Sequence, residues 1–366
     1  MEPDLESLVA LNLTGLVGAA LHRRLRDHFG SARSALRAPR SELRRVPGIG
    51  EITSAAIVEA GRSGEAAREI ESAAAEGVSI FPHGGTGYPA ALGNLYDPPL
   101  VLYVRGALEE RDLLGVGVVG SRQATPYGLR QAGRFGGELA SMGVTVVSGL
   151  ARGIDTEAHH GALRAKEGRT LAVLGSGVCC VYPPENRGLA RRVAERGAVL
   201  SEFPLRAGPV PENFPRRNRL ISGLSLGILV VEAGEKSGAL ITADWAMEQG
   251  REVFALPGSV ENPMSRGAHL LIRQGAKLAE TAADVLEELP AIAPLLRRAS
   301  SAADVSPIER SVLRELGTRA RTAESIAAAS RLPECAVTAS LERLAARGLV
   351  TSEGEVYRAA SGGVSG

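Results

Sequence analysis

Apolar and polar residues alternate along this chain in three different ways. Up to about residue 80, apolar positions recur with helical spacing among alanines, arginines and glutamates, which predicts amphipathic helices. From Leu113 onward, short continuous apolar runs are each followed by a glycine-rich turn and a helical stretch. Such runs are typical of parallel strands that are buried on both faces. The alternation predicts an α/β fold with a doubly wound parallel sheet.

Six segments are the predicted strands of this sheet. Between the first two of them, Leu129, Ala132, Phe135 and Leu139 form one apolar helical stripe, as a helix packed on a sheet requires. The strand segments are VGVVG, VTVVSG, TLAVLG, AVLSE, LGILVVEA and EVFALPG.

The pattern changes again near the carboxyl end. Periodicity is lost over 291–305, and helical spacing resumes at Pro307 before a hairpin that turns near Glu353–Gly354. Three helices followed by a hairpin are the order of a winged helix. We therefore expect a helical domain at 1–80, the sheet domain at 81–290, a linker at 291–305, a winged helix at 306–358 and a disordered tail at 359–366.

Composition narrows the function classes. The chain has 366 residues and a net charge of +1, so nucleic-acid binding cannot be argued from overall basicity. It contains no apolar run of about 18 residues, so no membrane span is expected, and its start lacks the basic stretch of a secretory signal, which favours the cytoplasm. Cys179, Cys180 and Cys335 have neither disulfide nor zinc spacing. We expect no metal and no cofactor.

Gly115, Gly117 and Gly120 spell the G-x-G-x-x-G of dinucleotide-binding folds. A dinucleotide site also requires an acidic residue about 20 positions further on, at the end of the second strand. That strand ends here in Ser148 and Gly149, without a carboxylate, and the first two glycines fall inside a strand. The sequence therefore argues against NAD.

Glycine-rich turns nevertheless follow most of the predicted strands. They are GSRQATPYG, SGLARGID and LGSGVCCVYPPEN, and in a parallel sheet they open on one edge. Glycine turns that lead into helices direct backbone N–H groups at anions, and Arg122 and Arg152 add charge. We interpret this edge as a phosphate-binding surface; the alternative is that glycine only permits tight turns.

A cluster of arginines stands further along, in ENFPRRNRLISG. Arg216, Arg217 and Arg219 surround Asn218 just after Phe214. Cations beside an aromatic ring bind single-stranded nucleic acid, because arginine contacts phosphate and the ring stacks on a base. The alternative is a solvated helix start with Phe214 in the core and one structural arginine.

Several of these segments, in order, resemble the DNA-processing protein A family (DprA, also called Smf). They are VVGSRQATPYG, SGLARGIDTEAHHGAL, AVLGSGVCCVYPPEN, FPRRNRLISGLS and VVEAGEKSGALITADWAMEQGREVFALPG. The resemblance implies a dimeric single-stranded DNA-binding protein on an extended Rossmann-like fold. It also implies that the protein protects strands during natural transformation and helps to load the RecA recombinase. Some members have a helical SAM-like domain in front and a winged helix behind.

Residue by residue, the resemblance places the DNA along the glycine-rich turns. Cys179 departs from the family's more usual aspartate, and His269 from its frequent asparagine. The residues themselves add Arg152 and Arg216 to the DNA-binding set. Those carried over are Ser121, Arg122, Gly149, Gly153, Ser176, Gly177, Phe214, Arg217, Asn218 and Arg219.

The flanking domains carry weaker signals. Gly48-Ile49-Gly50 resembles the turn of a helix–hairpin–helix, whose amides can meet a phosphate, although Glu51 follows it; its DNA role is auxiliary. In the predicted recognition helix, Arg343 and Arg347 are offset by Glu334 and Glu342. We therefore expect weak double-stranded DNA or protein contact there, not sequence-specific recognition.

Two rival functions remain open. The EAGEKSGALITADWAMEQG segment loosely resembles the phosphoribohydrolases that activate cytokinins, with Glu232, Glu235 and Asp244 as candidate carboxylates. Structural roles for these residues are favoured, so no enzyme is expected. The other rival is a transcription regulator that acts through its winged helix.

An apolar cluster close to the end of the sheet domain suggests dimerisation. Leu270, Leu271, Ile272 and Leu278 are more apolar than a terminal helix and an edge strand need, so they are candidates for an isologous contact. Packing beneath the linker is the alternative.

Overall fold

Two compact units, Met1–Ile292 and Ala293–Gly366, divide the chain. The predicted linker at 291–305 and tail at 359–366 fall almost entirely outside the described residues. The computed structural model describes residues 3–292, 306–317, 320–330, 332–346, 349–354 and 356–359.

Six helices open the first unit and share a hydrophobic core with its sheet. Asp4 starts the first helix by accepting a hydrogen bond from Ser7 N. Leu8 and Leu11 of that helix are buried in the same cluster as Tyr103 and Leu205. The helices expected in residues 1–80 are present, and they belong to the same compact unit as the sheet. They are α1 (Leu5–Leu13), α2 (Ala19–Phe29), α3 (Ala32–Arg37), α4 (Arg40–Leu43), α5 (Glu51–Ala60) and α6 (Glu65–Ala75).

Nine strands form one large sheet. They are β1 (Val78–Pro82), β2 (Val101–Gly106), β3 (Gly115–Val119), β4 (Thr145–Ser148), β5 (Thr170–Val173), β6 (Ala198–Ser201), β7 (Gly227–Val230), β8 (Glu252–Ala255) and β9 (Lys277–Leu278). Their order is β1-β2-β6-β5-β4-β3-β7-β8-β9. All pairs from β6 to β9 are parallel, and β1 and β2 join antiparallel. The predicted α/β class with a mostly parallel sheet is confirmed.

The path of the chain through the sheet creates a crevice beside β3. From β3 the chain steps outward through β4, β5 and β6, and then returns to place β7 on the other side of β3. Open α/β sheets bind ligands at the carboxyl ends of the strands where the order reverses in this way. The helices are α7 (Ala90–Gly93), α8 (Pro126–Ser141), α9 (Ile154–Arg164), α10 (Arg187–Arg196), α11 (Asn213–Gly223), α12 (Gly238–Glu248), α13 (Arg266–Arg273) and α14 (Ala282–Glu287), with short 3₁₀ turns at Glu110–Leu114, Pro184–Asn186 and Pro263–Ser265.

The glycines of the G-x-G-x-x-G pattern serve close packing. A Cβ on Gly117 would lie 2.2 Å from Ile228 Cδ1, and one on Gly120 would lie 2.7 Å from Glu232 O. Real Cβ atoms do not approach so closely. The end of the Ile228 side chain could shift, but Glu232 O is backbone, so the turn directly after β3 requires glycine at position 120. Gly115 and Gly117 fall inside β3, as the sequence predicted.

Among its described residues, the second unit has three helices and a small antiparallel sheet. Val337, Leu341 and Leu344, the predicted core stripe, are buried. Gly354, at the predicted turn, has φ +64, a value that favours glycine. The elements are α15 (Pro307–Leu316), β10 (Arg321–Thr322), α16 (Ala323–Ser330), α17 (Glu334–Ala346), β11 (Val350–Glu353) and β12 (Val356–Ala359), with strand order β10-β12-β11.

Candidate nucleic-acid interface

A cavity of about 900 Å³ opens at the carboxyl edge of the large sheet, beside β3. We call it the edge cavity. Its walls are the turns after β3, β4, β5 and β7, the 3₁₀ turn after β8, the segment before α11, and the first turns of α11 and α12. The lining residues include Ser121, Arg122, Gln123, Ala151, Asp155, Tyr182, Pro209, Pro211, Phe214, Arg217, Asn218, Glu235, Lys236, Ser237, Thr242 and Met264.

Two guanidinium groups lie beside one aromatic ring in the edge cavity. Arg122 Cζ is 5.1 Å from the centroid of the Phe214 ring, and Arg217 Cζ is 6.0 Å from it. The Tyr182 ring centroid lies 5.7 Å from that of Phe214. Arg122 is exposed and forms no ion pair within the described part of the chain. The structure thus brings together a free cation, a buried cation and a ring that the sequence had placed in two segments.

Arg217 is held in place by the sheet itself. It is only 3% exposed, and its Nη1 donates hydrogen bonds to Gly149 O at 2.7 Å and to Val173 O. Burial lowers the pKa of Arg217 to about 10, an effect that the Asp155 carboxylate opposes. The guanidinium therefore carries its charge at neutral pH, fixed at the cavity wall.

The turn after β4 uses its own amides internally. Asp155 Oδ2 accepts hydrogen bonds from Gly149 N at 3.1 Å and from Ala151 N at 3.3 Å. Burial raises the pKa of Asp155, and the nearby Arg217 cation counteracts this. A Cβ on Gly149 would lie 2.7 Å from Arg217 Nη1, so glycine here admits the arginine. The amide of Gly149 is not open to a phosphate.

Three other residues of the predicted set contact neighbouring backbone of the protein itself. Gly153 has φ +76, and a Cβ there would meet Ser121 O at 2.3 Å. Ser176 Oγ donates to Cys180 O at 2.7 Å, and Gly177 N donates to Ala207 O at 2.8 Å. These residues shape the turns and do not line the edge cavity.

The remaining arginines of the set are ion-paired. Arg152 pairs with Glu185. Arg219, 4% exposed, pairs with Glu202 at 2.6 Å, and Arg216 reaches the same carboxylate oxygen at 3.1 Å. Burial raises the pKa of Glu202, which the two arginines oppose. Arg216 and Arg219 lie outside the edge cavity.

Sequence reasoning missed the contribution of α12. Lys236 and Ser237 line the edge cavity where that helix begins, and the Ser237 side chain caps it by accepting from Ala239 N. A helix start attracts anions, and Lys236 is exposed there. The signal was the GEKSG segment, in which Glu235 was a candidate carboxylate of the rival hydrolase but Lys236 and Ser237 were given no role.

The carboxylates of the rival hydrolase do not converge. Glu232 is 1% exposed and accepts hydrogen bonds from Thr125 Oγ1 at 2.6 Å and Asn262 Nδ2 at 3.2 Å. Glu235 lines the edge cavity and pairs with Arg266 at 3.6 Å, whereas Asp244 is exposed and lies outside it. Glu232 thus anchors the start of α8.

The predicted dimer residues divide into two groups. Leu270 and Leu278 are 37% and 51% exposed. Leu271 is 3% exposed within the core of its own chain, and Ile272 packs against that core. Only the first two are available to a partner.

The other predicted positions are also located. Gly48 and Gly50 are exposed, and Glu51 pairs with Arg44 at 2.9 Å. Cys179 lies outside the edge cavity, with Sγ 3.3 Å from Arg105 Nη2. His269 bonds to the backbone of Gly258. Arg347 lies outside the described residues.

Within the described ranges, no helix is long and apolar enough to span a membrane, and no group of His, Cys, Asp or Glu side chains could hold a metal ion.

Residues 79–290 match the family described as DNA recombination-mediator protein A. Protein Smf of Escherichia coli (strain K12) is 49% identical over 57% of this chain and 56% of its own length, so the alignment spans little more than half of that relative. A DprA crystal structure from Streptococcus pneumoniae is 33% identical, with a TM-score of 0.68 over 79% of this chain and 99% of that one.

A second solved structure, of DNA processing protein A from Helicobacter pylori, concerns its single-stranded DNA binding mode. It is 29% identical, with a TM-score of 0.52 over 60% of this chain and 96% of that one. The family match covers more than half of the chain and includes every wall of the edge cavity. The resemblance seen in the sequence is confirmed, and the chain belongs to the DNA recombination-mediator protein A family.

Proposed function

We propose that this protein binds single-stranded DNA, without regard to sequence, in the edge cavity. The observation that carries the proposal is the placement of Arg122 and Arg217 within 6.0 Å of the Phe214 ring. Cations supply phosphate contacts and the ring supplies stacking, the two parts of a single-strand site. The Helicobacter pylori relative, solved for its single-stranded DNA binding mode, shares this fold.

The residues of the predicted set take different roles in this proposal. Arg122 contacts phosphate directly, and Arg217 supplies a fixed charge at the wall. Phe214 stacks on a base, with Ser121 and Asn218 beside it in the cavity. Gly149, Gly153, Ser176 and Gly177 act through the shape of their turns, and Arg152, Arg216 and Arg219 act through their ion pairs.

The test uses fluorescence anisotropy of a labelled oligonucleotide over a range of salt concentrations. For single strands, the logarithm of affinity falls with log salt by about 0.7 for each phosphate neutralised. We expect Arg122→Ala to weaken binding about tenfold and to lower this slope by about 0.7. Arg130→Ala is the matched control, because Arg130 is exposed on α8 and does not line the edge cavity.

Competition with duplex DNA distinguishes the rivals. Preference for one duplex sequence over single strands would favour a transcription regulator acting through α17. Equal binding by Arg122→Ala and the wild type across the salt range would place the DNA elsewhere.

We further propose that the protein acts in the cytoplasm as a homodimer that protects incoming strands in natural transformation and delivers them to RecA. The family description as a recombination mediator supports this role. The exposed Leu270 and Leu278 are the candidate dimer contact. Sedimentation of wild type and Leu278→Glu at micromolar concentration tests the dimer, and RecA activity on protein-bound strands tests delivery.

The flanking regions are assigned auxiliary roles. Residues 1–80 are proposed as a SAM-like domain with a helix–hairpin–helix turn at Gly48 and Gly50, next to the extended Rossmann-like domain at 81–290. Residues 306–358 are proposed as a winged helix, since their helices precede a hairpin that closes at Gly354. The winged helix would contact double-stranded DNA or protein weakly.

A further inference from the structure

Three hydrogen bonds connect the amino-terminal helices to the segment that follows β6. Asn12 Nδ2 donates to Glu202 O at 3.2 Å. Leu205 N donates to Glu69 Oε1 at 2.6 Å. Further along, Arg206 Nη2 donates to Glu76 Oε1 at 2.7 Å. Helices that line no part of the edge cavity thus hold this segment at successive positions.

The same segment continues into the wall of the edge cavity. Pro209 and Pro211 line the cavity, and α11 begins directly afterwards with Phe214 in its first turn. On its other side, the segment is bonded to the turn after β5, where Cys179 N donates to Leu205 O at 3.0 Å. A shift of Leu205 would therefore move both the cavity wall that continues from this segment and the turn after β5.

Glu69 makes the most consequential of the three contacts. The Leu205 side chain is fully buried, so the Leu205 amide cannot turn to water without moving that side chain. Because a buried donor without an acceptor is costly, loss of Glu69 favours a different backbone conformation at Leu205. The Glu76 contact joins a side chain that is 66% exposed, and exposed ion pairs contribute little.

We propose that Glu69 is a positioning residue for DNA binding: it fixes the wall formed by residues 204–212 and the start of α11, so that affinity depends on a helix that does not contact the DNA. This inference rests on the proposed single-strand function. It assigns the first six helices a part in shaping the site itself.

The sign of the expected effect separates positioning from charge. Removing a carboxylate lessens repulsion of DNA, so electrostatics alone predicts slightly tighter binding by Glu69→Ala. We expect binding about threefold to tenfold weaker instead, with the salt slope unchanged because no phosphate contact is lost. Glu69→Gln keeps a carbonyl acceptor and should restore most of the affinity.

Glu71→Ala is the matched control, since Glu71 is exposed on the same helix and the variant has the same net charge. Amide hydrogen exchange provides a readout without DNA: residues 204–212 should exchange faster in Glu69→Ala than in Glu71→Ala. If Glu69→Ala does not fold, Glu69→Asp withdraws the acceptor more gently and serves in both measurements.

Wild-type affinity in Glu69→Ala, or in Glu69→Asp where that variant replaces it, would overturn the inference whatever the exchange rate. Unchanged exchange of residues 204–212 would overturn it as well. A lower salt slope would also overturn it, because an arginine would then have lost a phosphate contact, which displacement of residues 204–212 alone does not cause. If the wild type fails to bind single strands at all, the proposed function fails; faster exchange in Glu69→Ala would then still support the structural part, and unchanged exchange would reject it.

Discussion

The two sides of α11 use the same residue type for opposite purposes. Phe214 and Arg217 are three positions apart and face the edge cavity. Arg216 and Arg219, also three apart, face Glu202 on the other side. Helical geometry separates the pairs, because residues three apart share a face and residues two apart do not.

The difference lies in what neutralises each charge. Two guanidinium groups share the Glu202 carboxylate, and Arg219 also lies 3.7 Å from Asp97, so little positive charge is left on that side. On the cavity side, Arg217 is bonded mainly to backbone carbonyls, and Arg122 forms no ion pair among the described residues. A cluster of arginines in a sequence is therefore not one binding surface.

The largest effect is expected from Arg217→Ala, which removes the buried cation on the cavity side of α11. It leaves the carbonyls of Gly149 and Val173 without this donor and Asp155 without its nearby cation. Each buried polar group left unsatisfied costs about 1–3 kcal/mol, and single-strand binding should weaken more than tenfold. Chemical denaturation and anisotropy measure the two losses. Retained affinity in a folded variant would remove Arg217 from the site.

Glu202→Ala tests the opposite side of the helix. Arg219 would remain buried without its main partner, so we expect a loss of about 3–5 kcal/mol in the free energy of unfolding. Under conditions in which the variant is folded, the salt slope of its single-strand binding should equal that of the wild type. A changed slope would show that this side also carries phosphate contacts.

A pH titration tests the buried surroundings that Arg217 shares with His159. Burial, together with the smaller effects of the His160 and Arg217 charges, lowers the pKa of His159 to about 3. The unfolded chain, with an ordinary pKa near 6.5, binds the proton first, so folding stability is lost as pH falls from about 6.5 towards 3. Relative to His159→Gln, the wild type should lose up to about 1.4 kcal/mol per pH unit in that window. If the free energies of unfolding of the two proteins changed in parallel with pH, the low pKa of His159 would be contradicted.

Arg216→Ala should give the smallest change. Arg216 is 46% exposed and shares Glu202 with Arg219, so its loss leaves the carboxylate paired. We expect single-strand affinity to fall less than threefold, measured by anisotropy beside Arg122→Ala. Equal losses from the two variants would erase the distinction between the sides.

Much of the fold follows from local pattern. Six predicted strands are present because continuous apolar runs between glycine turns are stable only when buried on both faces. Of the predicted stripe of α8, Ala132, Phe135 and Leu139 are buried as their spacing required, and Leu129 is half-buried. The sequence did not predict that β1 and β2 join the sheet, since antiparallel pairing at the edge of a sheet depends on residues far apart in the chain.

By itself, the sequence determined the order of elements, the family and the segments that meet at the carboxyl edge, because these depend on periodicity and short motifs. Only the tertiary structure decided which arginine faces the edge cavity, that Asp155 occupies the amides of its own turn, and that Glu69 reaches Leu205 from 136 positions away. The direction of a side chain and the partner of a charge depend on neighbours that folding brings together, and no local pattern contains them.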